Sequence, residues 1–179
     1  TYHGNTFFGG TRDLRVCISS DTSRFYNHVF ALSNVSFVTS SGIVKFVGSS
    51  TQNIDIADLK SFVVDKSNGD VLLLNPLSVS GNIKFVKGNI STSSTNLLSI
   101  TSSGSVSGAS NASYIEGPVK KIGNTTFSFP VGKKGYLREI EIGAPASITN
   151  AYVAEFFYDS TAVNTINADS NLSHVSRNR

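Results

Sequence analysis

The segment GIVKFVG at residues 42–48 returns in altered form as GNIKFVK at residues 81–87. Both copies begin with glycine and alternate apolar and polar residues, and Phe46 aligns with Phe85, 39 positions later. Self-similarity at such a period is the signature of stacked units, in which each repeat buries its apolar face on the next. The echo favours coils of a parallel β-helix, with a flat antiparallel sandwich as the alternative.

The surrounding sequence is typical of an all-β protein. Short runs of β-branched, aromatic and leucine residues recur roughly every 8–12 residues, as in LRVCI, SFVVD and DVLLL, and Gly, Asn or Ser bound them. No window holds the i, i+3, i+4, i+7 apolar stripe of an amphipathic helix. We therefore predict parallel β-helix-like coils followed by a small antiparallel sheet or sandwich module.

A polar, low-complexity stretch, SSGSVSGASNAS, interrupts this pattern after about residue 101. Strands beyond it are longer and alternate more clearly, which is typical of an antiparallel sheet with one side in water. The sequence predicts a coil region over residues 1–103, of which 1–40 are poorly defined. A polar junction over 104–112 and an antiparallel module over 113–179, truncated at its C-terminus, complete the predicted organisation.

Two tight turns are predicted in GPVKKIGNTTFSFPVGKKG, residues 117–135. The Gly123-Asn124 pair lies between two β runs and indicates a hairpin, and a second turn lies between Gly132 and Gly135. A Walker-type phosphate loop is excluded, because its first glycine and its hydroxyl residue are both missing around the Gly-Lys pair.

In YLREIEI, residues 136–142, we expect a single strand. Ile140 and Ile142 would share one face with Tyr136, while Glu139 and Glu141 occupy the other.

Two blocks of the sequence resemble a known family. Residues 61–100, followed by the GPVKK and FSFPVGK segments up to Gly135, are similar to a module of large secreted surface proteins of Bacteroidota, many of which use type IX secretion. In that family β-coil repeats precede a G-P-[VL]-x-[KR] and F-x-F-P-V-G-K block. The resemblance implies an extracellular or outer cell-surface location and scaffold or adhesive use. LSHVSRNR, residues 172–179, resembles a strand that continues in the family, which implies that the chain is part of a longer polypeptide.

Metal and thiol chemistry find little support in the sequence. His3, His28 and His174 are each isolated, without partners at zinc-ligand spacing. DKSNGD, residues 65–70, has a loose calcium-loop order but lacks the distal glutamate, so we interpret it as a solvated turn. Cys17 is the single cysteine and lies in an apolar run, where it is expected to be a buried strand residue. We predict no metal and no cofactor.

Paired carboxylates are the remaining feature that could indicate catalysis, because glycoside cleavage uses two such groups. Asp55 and Asp58 flank one short apolar run, and Glu139 and Glu141 share one strand face. Nothing beside either pair supplies the basic or aromatic neighbours that tune catalytic carboxylates. We interpret both pairs as wet strand faces or turns, and we predict no enzymatic activity.

Aromatic side chains offer a binding site of another kind. Tyr136, Tyr152 and Tyr158 are candidates for stacking on glycan rings if they are exposed together. Ser160 is a candidate for O-glycosylation, because residues 159–161 fit the short Asp-Ser/Thr-x signal carried by the proteins that the chain resembles.

Composition narrows the class of protein. Of 179 residues 39% are hydrophobic, and the net charge is +3 with scattered Lys and Arg, unlike the dense basic patch of a nucleic-acid-binding protein. No apolar run approaches the roughly 20 residues of a membrane helix. We predict a non-catalytic stalk, adhesin or assembly module whose partners are surface glycans or other copies of itself. The alternative is a carbohydrate-binding module of a secreted polysaccharide-degrading enzyme.

Overall fold

A computed structural model describes residues 1–9, 14–18, 22–31, 35–39 and 42–158. Across this part of the chain all regular secondary structure is β. Parallel sheets stack as a β-solenoid, and small antiparallel sheets follow it. The predicted fold class is confirmed, and the antiparallel sandwich considered as an alternative is not what the chain forms. The described residues contain no helix long and apolar enough to cross a membrane.

Three parallel sheets form the walls of the solenoid. Sheet 1 contains β1 (Thr6–Phe8), β4 (Val29–Ala31), β7 (Gln52–Asp55), β10 (Val71–Leu73), β13 (Ile90–Ser91) and β16 (Ile115–Glu116). Sheet 2 contains β8 (Asp58–Leu59), β11 (Leu77–Val79), β14 (Leu98–Ile100) and β17 (Val119–Ile122). Beside β8 lies the parallel pair β2 (Leu14–Ile18) and β5 (Val35–Thr39). Sheet 3 contains β3 (Thr22–Phe25), β6 (Ile43–Gly48), β9 (Phe62–Lys66), β12 (Asn82–Lys87) and β15 (Ser105–Ser107).

The core consists of rows of inward side chains that run from coil to coil. In sheet 3, Phe46 pairs in register with Val64, and Val64 pairs with Phe85. All three are buried, as the period-two alternation of each strand requires. Since β6, β9 and β12 begin at residues 43, 62 and 82, successive strands are 19 and 20 residues apart. The 39-residue echo therefore spans two coils. The period of one coil is not visible in the sequence because the middle coil carries valine where its neighbours carry phenylalanine.

The parallel coils extend beyond the predicted boundary at residue 103. β15 lies within the serine-rich stretch and pairs with β12, while β16 and β17 pair in parallel with β13 and β14. Serine is tolerated in β15 because Ser105 and Ser107 face solvent, while Val106 packs against the core. Parallel pairing between these strands thus continues to Lys121.

The hairpin predicted at Gly123-Asn124 is wrong. β17 pairs with β14 on one side and, antiparallel, with β22 (Ala151–Ala154) on the other. β18 (Phe127–Phe129) instead pairs antiparallel with β21 (Ile140–Ile142). The preceding coil already presents an aligned strand edge and a core to β17, so tertiary pairing prevails over the local turn signal.

The second predicted turn is confirmed. β19 (Gly132–Lys133) and β20 (Tyr136–Leu137) form an antiparallel hairpin. Its two central residues, Lys134 and Gly135, have φ angles of 53° and 80°, as a type I′ turn requires. The single strand expected over residues 136–142 is wrong, however, because β20 and β21 belong to different two-stranded sheets.

Residues 127–158 form a C-terminal cap on the last coil. β22 covers the edge of sheet 2, and Val131 bridges to Ile115 at the edge of sheet 1. Phe127 and Phe129 are buried and continue the solenoid core into the cap. Two of the three sheet edges at this end are thereby covered, which blocks further strand pairing there.

Candidate functional site

The β19–β20 hairpin is held firmly on the cap. Its Gly135 amide donates a hydrogen bond to the hydroxyl of buried Tyr114 over 2.8 Å. The Leu137 amide donates to the side-chain oxygen of Asn111, also over 2.8 Å, and the Arg138 amide donates to the Val131 carbonyl over 2.7 Å. These bonds fix the position of the side chains that the hairpin presents to solvent.

Two exposed tyrosines and two cations lie together at this hairpin, and we name them the cap patch: Lys134, Tyr136, Arg138 and Tyr158. Tyr136 is 48% exposed and Tyr158 is 52% exposed. Lys134 Nζ lies 4.2 Å from the centre of the Tyr158 ring, and Arg138 Cζ lies 5.2 Å from that of Tyr136. Both distances are within cation–π range. Such a surface can stack on a sugar ring and pair with an acidic substituent.

Tyr152, the third candidate for glycan stacking, lies on β22 and not on the β19–β20 hairpin. It is 39% exposed on β22, where it pairs with Lys121 of β17. Among the described residues, no ring contact joins any two of the three tyrosines. The structure therefore brings Tyr136 and Tyr158 to one hairpin but does not assemble a three-ring platform.

Glu155 is an acidic residue of the cap that the sequence did not single out. Burial raises the pKa of its carboxyl above the usual 4.5, and the nearby positive charge of Lys133 opposes this effect. Lys133 pairs with Tyr136 across the hairpin, so this carboxylate and cation adjoin the cap patch.

Lys66 is the first of two buried lysines that the sequence analysis missed. It is the last residue of β9, and its side chain has no exposed surface. Its ammonium group donates to the Val47 carbonyl over 2.9 Å and to Oε1 of Gln52 over 3.2 Å. Burial lowers the pKa of Lys66, and the charge of Asp70 opposes that shift. These contacts join neighbouring coils and are structural.

Lys121 plays a similar part near the cap. Its ammonium group donates to the carbonyls of Thr101, over 2.6 Å, and Gly104, over 2.8 Å. It also lies 5.1 Å from the centre of the Phe127 ring. Burial lowers the pKa of Lys121. Period-two alternation would have found both lysines, because each follows an inward residue at i−2, Val64 or Val119.

The described histidines make structural contacts. The His3 ring stacks on Tyr26 with centroids 4.4 Å apart, and His28 Nδ1 accepts a hydrogen bond from the Asn53 amide over 2.9 Å. No group of three His, Cys, Asp or Glu residues in the described ranges is placed to hold a metal. The backbone of Cys17 lies in β2, but its side chain, whose burial was predicted, is not among the described parts of the structure. His174 and Ser160 lie outside the described residues.

The two carboxylate pairs predicted from the sequence form no shared site: Asp55 and Asp58 lie in different sheets, and Glu139 and Glu141 are on the surface. Asp55 belongs to β7 in sheet 1 and accepts a hydrogen bond from Asn75 over 2.6 Å. Asp58 belongs to β8 in sheet 2, and partial desolvation raises its pKa above the usual 3.8. Glu139 and Glu141 are exposed.

The carboxylates of the 65–70 turn contact protein groups. Asp65 forms an ion pair of 2.6 Å with Lys45, and Asp70 accepts a hydrogen bond from the Asn89 amide over 3.1 Å.

Comparison with protein-family models, with curated proteins and with solved structures found no match to this chain.

Proposed function

We propose that this chain is a non-catalytic structural segment of a large secreted or cell-surface protein, in which it serves as a stiff stalk or adhesive module. The observation that carries the proposal is the continuous solenoid, whose three sheets and core rows run through successive coils to the cap. The resemblance of residues 61–135 to secreted surface modules supports an extracellular or outer-surface location.

Stiffness along the solenoid axis follows from how the coils are joined. Sheet hydrogen bonds between neighbouring strands of a solenoid run along its axis, so at each junction between coils the bonds of the three sheets resist separation and bending together. Lys66 adds bonds from one coil to the preceding one, and Lys121 does the same near the cap. No buried side-chain nitrogen or oxygen lacks a hydrogen-bond partner within the described ranges, so the core holds few weak points.

Single-molecule stretching of the chain between its two ends tests the stalk. We expect one cooperative rupture at high force, followed by a long extension. Gradual unravelling of coils at low force would contradict the proposal. Antibody labelling of intact producing cells tests the location, and labelling that requires permeabilised cells would argue against surface exposure.

A second candidate function is carbohydrate binding, which the cap patch specifically favours because it pairs two exposed tyrosines with two cations. A glycan array probed at low and high salt tests this function. Binding that survives high salt and is lost in a Tyr136→Ala/Tyr158→Ala variant would support it, because stacking is not screened as charge attraction is. Tyr152→Ala is the matched control, and it should leave binding unchanged.

A further inference from the structure

The outer face of sheet 3 carries a row of cations that belongs to neither site described above. Arg24 pairs in register with Lys45, Lys45 pairs with Val63, and Val63 pairs with Lys84. These residues therefore follow one another along the solenoid axis on one face of the sheet. Neighbouring strands lie about 4.8 Å apart, so one strand spacing separates Arg24 from Lys45 and two separate Lys45 from Lys84.

A β-bulge adds a fourth cation to this face. The register between β12 and β9 shifts between Phe85 and Lys87, so that Lys87 pairs with Asp65. Bulges re-aim side chains in this way, and Lys87 is exposed next to the row. We name Arg24, Lys45, Lys84 and Lys87 the basic face.

The charge on this face is poorly balanced. Asp65 is the one carboxylate in the strands of sheet 3, and its ion pair with Lys45 leaves Arg24, Lys84 and Lys87 without an acidic partner in these strands. The strands of the other walls from β7 onward carry the opposite balance, with carboxylates on Asp55, Asp58 and Glu116 and an outward lysine at 120. Net positive charge is thus concentrated on one wall of the solenoid.

A row of like charges lowers the stability of the unbound chain. Like charges on directly opposite residues of neighbouring strands repel each other, and Arg24 and Lys45 are such a pair. An anionic chain lying along the solenoid axis would meet Arg24, Lys45 and Lys84 in turn and remove that repulsion. The arrangement therefore fits a linear polymer better than a compact anion.

The chemistry beside the cations favours a sugar polymer over a nucleic acid. All phenylalanines in the described strands of sheet 3 point inward and are buried, so these strands present no aromatic ring on their outer face for base stacking. Asn82, Ser105 and Ser107 lie at the same face and already exchange hydrogen bonds of 3.0 and 2.9 Å. Amide and hydroxyl groups of this kind suit the hydroxyls of a sugar chain.

We propose that the basic face binds a linear acidic polysaccharide, which runs along the solenoid axis with its carboxylate groups against Arg24, Lys45, Lys84 and Lys87. This site is separate from the cap patch, and it does not depend on the stalk function.

Binding of the full chain to alginate, a linear carboxylated polysaccharide, tests this proposal, with neutral dextran as the control polymer. We expect alginate binding at about 0.1 M salt that weakens strongly toward 1 M, as screening shortens the Debye length from about 10 Å to about 3 Å. Lys84→Gln/Lys87→Gln should weaken binding about tenfold to thirtyfold, the loss expected for two charge contacts. Lys60→Gln/Lys120→Gln removes the same charge elsewhere and should retain binding. All four lysines are surface residues, so unchanged melting curves are expected for both variants.

Other outcomes would overturn the proposal. Equal losses in the two variants would mean attraction to net charge alone, and a loss confined to the second variant would place the binding site around Lys60 or Lys120. Absence of alginate binding, or equal binding of dextran, would show that the basic face does not bind acidic polysaccharides specifically. If the wild type self-associates at low salt without alginate and Lys84→Gln/Lys87→Gln does not, the basic face instead meets the acidic walls of another copy.

Discussion

The ammonium nitrogen of Lys66 lies 3.2 Å from the side-chain oxygen of Gln52, and both side chains are completely buried. Gln52 belongs to sheet 1 and Lys66 to sheet 3 of the same coil. Gln52 also donates a hydrogen bond of 3.1 Å to the carbonyl of Phe25, and Lys66 donates to that of Val47, in earlier strands of sheet 3. This pair therefore ties the corner of one coil to the coils before it.

Lys66→Met should lower the free energy of unfolding by about 1–3 kcal/mol, because it leaves the Val47 carbonyl and the Gln52 oxygen buried without a donor. Urea denaturation measures the loss. Lys84→Met, an exposed lysine of the same sheet, is the control and should change stability by less than about 0.5 kcal/mol. If the two substitutions have equal effects, the buried contacts of Lys66 contribute little.

A double-mutant cycle isolates the contact between the two side chains. The Gln52→Leu/Lys66→Met chain loses both partners, so its destabilisation should be smaller than the sum of the two single effects. Simple additivity would show that the side chains act independently.

Stability should rise as the pH increases toward the usual lysine pKa of 10.5. Burial lowers the pKa values of Lys66 and Lys121, so between the folded and unfolded values the unfolded chain binds more protons than the folded chain. Because the unfolded chain binds more protons, stability increases with pH in this window. The same stability is lost as the pH is lowered through the pKa values of the folded chain. The rise should be smaller in Lys66→Met/Lys121→Met than in the wild type, as followed by thermal unfolding. Identical pH dependence in both chains would contradict this account.

Gly117→Ala should destabilise the solenoid. Gly117 has φ of 115°, and a Cβ added there would lie 2.4 Å from the Thr92 carbonyl oxygen, so the substitution combines backbone strain with a clash. We expect a loss of roughly 1–3 kcal/mol in urea denaturation. Gly143→Ala is the matched control, because a Cβ there would meet nothing within 4 Å. A neutral Gly117→Ala would mean that the coil relaxes at this corner.

Removal of β22 should make the chain self-associate. A chain ending at Asn150 lacks Ala151–Ala154, so the edge of β17 becomes free to pair with another molecule. Sedimentation velocity should show concentration-dependent oligomers. A chain ending at Tyr158 retains the strand and should behave as the full chain does. If both truncated chains sediment alike, β22 does not protect the edge.

Some features of the fold were readable from local sequence. Alternation places Phe46 and Phe85 inside, and Gly135 after Lys134 is suited to the type I′ turn that the chain forms. Other features were not readable. Gly123-Asn124 has the composition of a hairpin turn, yet β17 pairs with distant strands. The choice depends on which edge and core the growing solenoid offers.

The candidate sites divide in the same way. Tyrosines 136 and 158 were found as stacking candidates from composition and alternation, but the cations beside them were not. Lys134 and Tyr158 are 24 positions apart along the chain and meet only because the hairpin and the end of the cap fold together. The basic face could not be read from the sequence, because its members lie on β3, β6 and β12 and share one face only once the coils have stacked.

By itself, the sequence determined the all-β character of this protein and which side chains of most strands face the core, because both follow from local propensity and period-two alternation. Tertiary structure alone decided the coil register, the partner of β17, the hydrogen-bond partners of Lys66 and Lys121, and the alignment of cations on one wall. Those features depend on contacts between residues 14 or more positions apart, which no local pattern encodes, and on hydrogen-bond partners that exist only once neighbouring coils have stacked.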